Sequence, residues 1–277
     1  MSKGARQAMP AGVYNATKKD GSIYYRANIT YKTKHISLGS FALEDDAHTC
    51  YLEACKLLEN EEITLVNLQH HIQCLSFDKA VCLLNFRDHN LYFRNPIYLR
   101  KGYFSYFLSD EIELKFDIDD LFYYAGHRIQ KRQGHLFVSD YGMQYSILSR
   151  YGIKPYAVVG RDYLFFNGDV HDFRYSNILN INRYHGVFSY EKNGETHYKV
   201  FIHINGNYKV GSYTDEASAA VAYNKAVDLA KAAGISRQFP ENYVDTLSPR
   251  EYAELYTHVK ISKKYMDYLN LLKAGLG

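Results

Sequence analysis

Gly186-Val187-Phe188, Tyr198-Lys199-Val200-Phe201-Ile202, Val210-Gly211-Ser212-Tyr213 and Ala219-Ala220-Val221-Ala222-Tyr223-Asn224-Lys225-Ala226 repeat an earlier series in the same order. That series is Gly12-Val13-Tyr14, Tyr25-Arg26-Ala27-Asn28-Ile29, Leu38-Gly39-Ser40-Phe41 and Ala47-His48-Thr49-Cys50-Tyr51-Leu52-Glu53-Ala54. The separation between equivalent residues drifts only from 174 to 173 to 172. Each slip is one residue, and both fall where a turn is expected, because turns tolerate length changes that strands do not. One small unit is therefore used twice.

Within each copy the hydrophobic period changes from two to about 3.6, which predicts strands followed by one helix. In copy one, Tyr25, Ala27, Ile29 and Tyr31 alternate with Arg26, Asn28, Thr30 and Lys32. One face is apolar and the other can meet a ligand. Copy two places Tyr198, Val200, Ile202 and Ile204 inward and Lys199, Phe201, His203 and Asn205 outward, ahead of the hairpin signal Asn205-Gly206-Asn207. The helix that follows is expected from 214 to about 233, capped by Thr214, with Asp215 and Glu216 in its first turn where acids favour the dipole. Its stripe of Ala219, Ala222, Tyr223, Ala226 and Ala230 lets it lie close on a three-stranded sheet.

A chain of 277 residues has room for two or three domains, and 47% hydrophobic with 23% charged residues describes an ordinary folded protein. A net charge of +3 permits a nucleic-acid partner without demanding one. The charges are unevenly spread. Residues 1–35 carry Lys3, Arg6, Lys18, Lys19, Arg26, Lys32 and Lys34 against Asp20, whereas residues 42–62 carry Glu44, Asp45, Asp46, Glu53, Glu59, Glu61 and Glu62 against Lys56. Cys50, Cys55, Cys74 and Cys82 form no CxxC pair and no secretory segment opens the chain, which points to a reduced, cytoplasmic setting and away from a zinc ribbon. No apolar run approaches the roughly 18–20 residues that cross a bilayer. Twenty-eight tyrosines with no tryptophan suit surfaces that are apolar and hydrogen-bonding at once, although biased composition accounts for them equally.

The repeated residues resemble the ethylene-response-factor (Apetala-type) DNA-binding domain. Its pattern is a Gly-Val opening, a three-stranded sheet, Leu-Gly-x-Phe, and a helix built on Ala-x-x-Ala-Tyr-x-x-Ala. The resemblance implies that the outward sheet face enters the major groove. It nominates Arg26, Asn28, Thr30, Lys32 and Lys34 in copy one and Lys199, His203 and Lys209 in copy two. Cations neutralise phosphates, and Asn and Thr donate to them. The arginine-rich, tryptophan-containing strands of strong binders are absent, and copy two is mostly neutral at the cationic positions. A merely solvated strand face is the competing reading, above all for copy two.

Between the copies, 97–103 and 134–138 read as strands and 145–151 as a short helix. The run Phe166-Asn167-Gly168-Asp169-Val170-His171-Asp172-Phe173-Arg174-Tyr175-Ser176-Asn177-Ile178 resembles the core of HNH homing endonucleases. Phage and intron enzymes of that family commonly join such a core to a C-terminal domain of the repeated type, and Asn180-Ile181-Asn182-Arg183-Tyr184-His185-Gly186-Val187 sits at the corresponding join. The family's chemistry requires a histidine general base and a divalent metal. Their positions here are Leu164 and Phe165, which neither hold a cation nor take a proton. The middle Asn is Phe173, and the upstream His-Arg pair aligns with Tyr145 and Ser146. What remains is structural: Asn167, Gly168 and Asp169 for a tight turn, His171, Asp172 beside Arg174 as a local pair, and Asn177. The expectation is no catalytic residue, no metal and no cofactor. The opposing reading gathers His127, His135, Asp140 and His171 around a metal.

These readings sum to an α+β fold. An N-terminal module (1–60) is followed by a connecting segment (61–95), a degenerate HNH-like (ββα-metal-like) domain (96–184), a second module (185–236) and a C-terminal helical extension (237–277). In the connecting segment Leu65, Leu68, Ile72, Leu75, Val81, Leu83 and Leu84 are expected to pack against the middle domain, and His70-His71 is too isolated for a metal site. Ser248-Pro249-Arg250-Glu251 is a capping box with proline in the first turn, opening one helix through Tyr252, Leu255, Tyr256 and Val259 toward Lys263, Lys264, Tyr265 and Leu269. The functional expectation is a non-catalytic protein of phage or mobile-element origin that binds double-stranded DNA. The alternatives are an inhibitor that turns exposed aromatics toward a host defence protein, and an active metal-dependent nuclease.

Overall fold

The computed structural model describes residues 9–154 and 157–274, so Lys3 and Arg6 of the basic stretch lie outside the described residues. The fold is mixed α+β, built from small three-stranded antiparallel sheets and helices. Two compact units divide the chain: Met1–Arg150 with Phe165–Ile178, and Tyr151–Leu164 with Leu179–Gly277.

The first unit opens with β1 (Val13–Thr17), β2 (Ile23–Tyr31) and β3 (Lys34–Phe41), an antiparallel sheet backed by α1 (Glu44–Glu59). Alternation decides which side of β2 the helix covers: Ala27 and Ile29 are buried while Arg26 and Thr30 are exposed. Ala47, Cys50 and Ala54 of α1 are fully buried, and small side chains at that spacing let the helix approach. Then comes α2 (Phe77–His89), capped by Ser76, whose hydroxyl accepts from the Lys79 N–H. Two polar anchors fasten this connecting region. The Glu53 carboxylate accepts from the backbone N–H groups of Gln73 and Leu75, both at 2.8 Å. The buried Arg87 guanidinium donates to the carbonyls of Leu57 (2.9 Å), Asn60 (2.6 Å) and Ile63 (2.9 Å), closing the C-terminal end of α1. Leu68, Leu75, Val81, Leu83 and Leu84 accordingly share one core with the first module and Phe107.

The remainder of this unit is β4 (Ile97–Leu99), β5 (Tyr103–Phe107) and β6 (Glu113–Asp117), then α3 (Leu121–Gly126), then β7 (Ile129–Arg132), β8 (His135–Asp140) and β9 (Met143–Ser146). The short helix expected over 145–151 is instead the end of β9 followed by a 3-10 turn, Ile147–Tyr151, because Tyr145 pairs with Val138 across the hairpin. Phe104, Phe116 and Tyr124 form an aromatic core, with Phe116 and Tyr124 centroids 4.3 Å apart. Two short strands, β10 (Tyr163–Phe165) and β11 (Ile178–Asn180), pair with each other, and the division between the units passes through both.

The second unit contains β12 (Val187–Lys192), β13 (Glu195–His203) and β14 (Asn207–Tyr213), backed by α4 (Glu216–Ala232). It reproduces the first module in detail. Gly12 and Gly186 have φ of 73° and 72°. Their carbonyls accept from the N–H groups of Asn28 (2.9 Å) and Phe201 (2.8 Å). A bulge falls between Ala27 and Asn28 in one copy and between Val200 and Phe201 in the other. Both single-residue slips lie in the hairpin connections. Ala27 pairs with Val13 fourteen residues back, Val200 with Val187 thirteen back.

Two helix ends differ from expectation. The cap of α4 is Asp215, whose carboxylate accepts from the Ser218 N–H at 2.7 Å, and Thr214 precedes it. The capping box at Ser248 and Glu251 is formed, but the C-terminal extension is two helices, α5 (Pro249–His258) and α6 (Lys263–Lys273). The break has a cause. Ser262 donates its N–H to the Val210 carbonyl and its hydroxyl to the Lys209 carbonyl, both at 2.7 Å, so residues 259–262 cover the edge of β14 and cannot be helical. Tyr213 Oη adds a bond to the Lys260 carbonyl at 2.7 Å.

Candidate functional site

The outward face of the first module's sheet presents Arg26, Asn28 and Thr30 from β2 beside His35 from β3. Arg26 lies exposed, its Nε donating to Tyr24 Oη at 3.1 Å and its guanidinium 5.3 Å above the Tyr24 ring. Thr30 Oγ1 and His35 Nδ1 are 2.7 Å apart. Lys32 and Lys34 do not share that face. Lys32 and Thr33 form the hairpin tip with φ of 44° and 67°, which turns the Lys32 ammonium onto Asn90 Oδ1 and the Arg87 carbonyl at the C-terminal end of α2. The negative pole of a helix attracts a cation there. Lys34 lies 5.0 Å above the ring of Tyr92, which packs against the core.

On the second module, Lys199 sits 4.0 Å above the Tyr190 ring and His203 Nδ1 donates to Asn207 Oδ1 at 2.8 Å. Lys209 is exposed on β14. The same face carries Phe188 and Phe201, with centroids 6.1 Å apart in an edge-to-face pair.

The motif loop, 166–177, is held by its own polar residues. Asn177 is buried. Its Oδ1 accepts from the Asn167 N–H (2.8 Å) and its Nδ2 donates to the Asp172 carbonyl (2.9 Å). Asp172 is 1% exposed and pairs with Arg174, Nη2 to Oδ2 at 2.6 Å, while Asn167 Nδ2 donates to the same carboxylate at 3.0 Å. Burial pushes the Asp172 carboxyl up, but the Arg174 side chain, the Arg174 N–H and the Asn167 amide outweigh it and hold the group below its ordinary value. Asp169 pairs with Lys115 at 2.9 Å, and backbone bonds of the His171 carbonyl and Phe173 N–H to Lys115 dock the loop on β6. Phe173 is buried, stacked 5.5 Å from Phe116 and edge-on to Phe165. His127 Nε2 is 3.7 Å from Asp140, but among the described residues no three His, Cys, Asp or Glu side chains come together as a metal cage, and His135 and His171 do not join that pair. No helix follows β11 as a ββα-metal arrangement implies. Six residues, 181–186, lead directly into β12.

The second unit also holds a cavity of about 430 Å³, unforeseen in the sequence. Lys154, Arg161 and Asp162 contribute to its lining, as do Phe188, Phe201 and His203 of the sheet. Its polar wall is rigidly connected. Asp162 accepts from Arg161, from the Val158 N–H (2.8 Å) and from Asn182 Nδ2 (3.2 Å). Asn182 Oδ1 in turn accepts from the Ser189 N–H at 3.0 Å. His185 is fixed through its backbone: Asn242 Oδ1 accepts from its N–H (2.6 Å) and Asn242 Nδ2 donates to its carbonyl (3.0 Å). Asn242 is itself paired with Asn224 of α4 at 2.8 and 2.9 Å. Burial pulls the Lys154 ammonium down to about 8 against the opposing charges of Asp162 and Glu216. Burial, with the Lys154 charge added, lowers His185 to about 4. No local pattern could have shown this site, since its walls come from segments far apart in sequence.

Comparison of the chain with protein-family models, with curated proteins and with solved structures finds no match. No helix among the described residues is long and apolar enough to cross a membrane.

Proposed function

We propose that the protein binds double-stranded DNA without cutting it, on a scaffold related to phage or mobile-element HNH homing endonucleases whose reactive positions have been lost. The observation that carries this reading is the outward face of the first module. Arg26 and Thr30 are exposed and Asn28 half-buried on a face whose reverse is buried apolar core, so none of them belongs to that core. A guanidinium, an amide and a hydroxyl on a rigid sheet are suited to phosphates and base edges. The loop supports the non-catalytic half of the proposal. Asn167, Asp169, Asp172, Arg174 and Asn177 are all spent on one another or on Lys115, while Leu164 and Phe165 stand where the family needs a cation holder and a base. With Lys32 and Lys34 engaged elsewhere, few phosphates are neutralised, and affinity is expected to be modest and to fall with salt.

Gel-shift titration of duplex DNA at low and moderate salt tests the binding, and a plasmid-nicking assay with magnesium or manganese tests the absence of cutting. A retarded band that fades with salt, beside intact plasmid, fits the proposal. Nicking that disappears in His171→Ala would instead restore the nuclease reading.

Exposed aromatics favour a second reading, an inhibitor that grips a host protein. Phe122 and Tyr141 are each 96% exposed and Phe166 is 81% exposed, on the first unit. Aromatic side chains dominate interface hot spots. A pull-down yielding one stoichiometric protein and no nucleic acid would favour it over DNA binding.

A further inference from the structure

The cavity of the second unit is chemically one-sided. Its fixed carboxylate, Asp162, is already saturated by Arg161, the Val158 N–H and Asn182, so it offers nothing to a metal ion or an amine. The Lys154 ammonium, in contrast, has no hydrogen-bond partner among the described residues. Asp162 and Glu216 act on it through space, and its N–H donors remain for an anion. The Phe188 and Phe201 rings line the same cavity, and the rest of the lining is largely apolar. A hydroxyl-rich ligand such as a sugar would leave its polar groups unpaired against that wall, whereas a flat unsaturated ring would not. Among the lining groups, His203 Nδ1 and Asn207 Oδ1 lie 2.8 Å apart. A volume of about 430 Å³ is in the range of small-molecule sites, roughly 300–1,000 Å³.

We infer that this cavity binds a small planar aromatic acid, its ring against Phe188 and Phe201 and its carboxylate or phosphate monoester on the Lys154 ammonium. The site is independent of whether the first module holds DNA, because it lies wholly in the second unit. It also gives the second module a use that its mostly neutral outward face does not have as a reader of DNA. The sheet surface that would meet a groove is here one wall of a ligand site. The ammonium sits where burial disfavours its charge, so an incoming anion relieves that cost and favours the charged form.

Isothermal titration calorimetry on the full chain tests this with two probes, benzoate and adenosine 5'-monophosphate, and with acetate as a control lacking a ring. Heat from either aromatic probe, lost by at least about tenfold in affinity in Lys154→Met, supports the site. Benzoate alone points to carboxylates as the source, and the nucleotide alone to a phosphate with a polar ring edge. Binding should weaken from pH 7 to pH 9.5 as Lys154 loses its proton above about 8. Asp162, Glu216, His185 and Arg161 also face this group, so Lys154→Arg, which keeps its charge, identifies the titrating side chain by abolishing the fall. Where Lys154→Met does not fold, protection of Lys154 from amine labelling by the same probes in the wild type supplies the answer. Silence of both aromatic probes at millimolar concentration, equal binding of acetate, or an unchanged affinity in a folded Lys154→Met would overturn the inference.

Discussion

Gly186 lies directly beneath the ring of Tyr223, so close that a Cβ added to it would overlap the ring and the Phe201 carbonyl oxygen. Gly12 stands in the same relation to Tyr51 in the first module. Both glycines have φ near 70°, where an L side chain is strained. Gly12→Ala and Gly186→Ala should therefore each destabilise their unit. The backbone contributes about 1–2 kcal/mol and the overlap roughly 1–3 kcal/mol. Urea unfolding followed by tyrosine fluorescence reads the change, and a midpoint equal to wild type in either variant would show that close packing is not what reserves these positions for glycine.

The loop that resembles a nuclease core is expected to act as a brace. Asp172→Asn breaks the pair with Arg174 and should cost about 2 kcal/mol, less than for a fully buried pair because Arg174 is 36% exposed. The acid dependence follows from the lowered carboxyl. Its stabilising share is complete above the ordinary value of 3.8 and is lost as pH falls through the still lower folded value. The gap between wild type and Asp172→Asn should thus be constant from pH 7 to 5 and close below pH 4, as thermal melts across that range would report.

His185 makes the second unit sensitive to mild acid. Its value falls from an ordinary 6.5 to about 4 in the folded chain, so between those limits the unfolded chain holds a proton that the folded chain does not. Stability must decline as pH drops from 6.5 to 4. His185→Phe keeps the ring beside Tyr223 and the backbone bonds to Asn242, and should melt with a shallower pH dependence across that window. Parallel curves for the two proteins would mean that the imidazole is not held neutral by burial.

Much of the architecture was legible because sterics wrote it into residue identity. Only glycine fits under Tyr51 and Tyr223, only small residues let α1 and α4 approach their sheets, and the Ser248–Glu251 box has one structural use. The loop was legible for the same reason, since Asn177 and Asp172 each satisfy several neighbours at fixed spacing. What stayed hidden depends on partners distant in sequence. Lys32 alternates correctly with its strand, yet the end of α2 at Asn90, fifty-eight residues on, draws it off the face. Tyr252, Leu255, Tyr256 and Val259 stand at helical spacing, but the edge of β14 captures Ser262 and splits the helix expected to run on toward Leu269. Lys154 stands in an unremarkable stretch, and only folding brings it to the same cavity as Phe188 and Phe201.

Fluorescence anisotropy of a short labelled duplex, titrated with wild type and Arg26→Ala at salt near 50 and 200 mM, tests the DNA-binding reading most directly. The expected result is binding at the lower salt, weakening at the higher, and for Arg26→Ala an affinity about tenfold lower with a salt slope reduced by about 0.9, the share of one phosphate contact. No binding by the wild type at the lower salt, or an Arg26→Ala variant with unchanged affinity and slope, would contradict it.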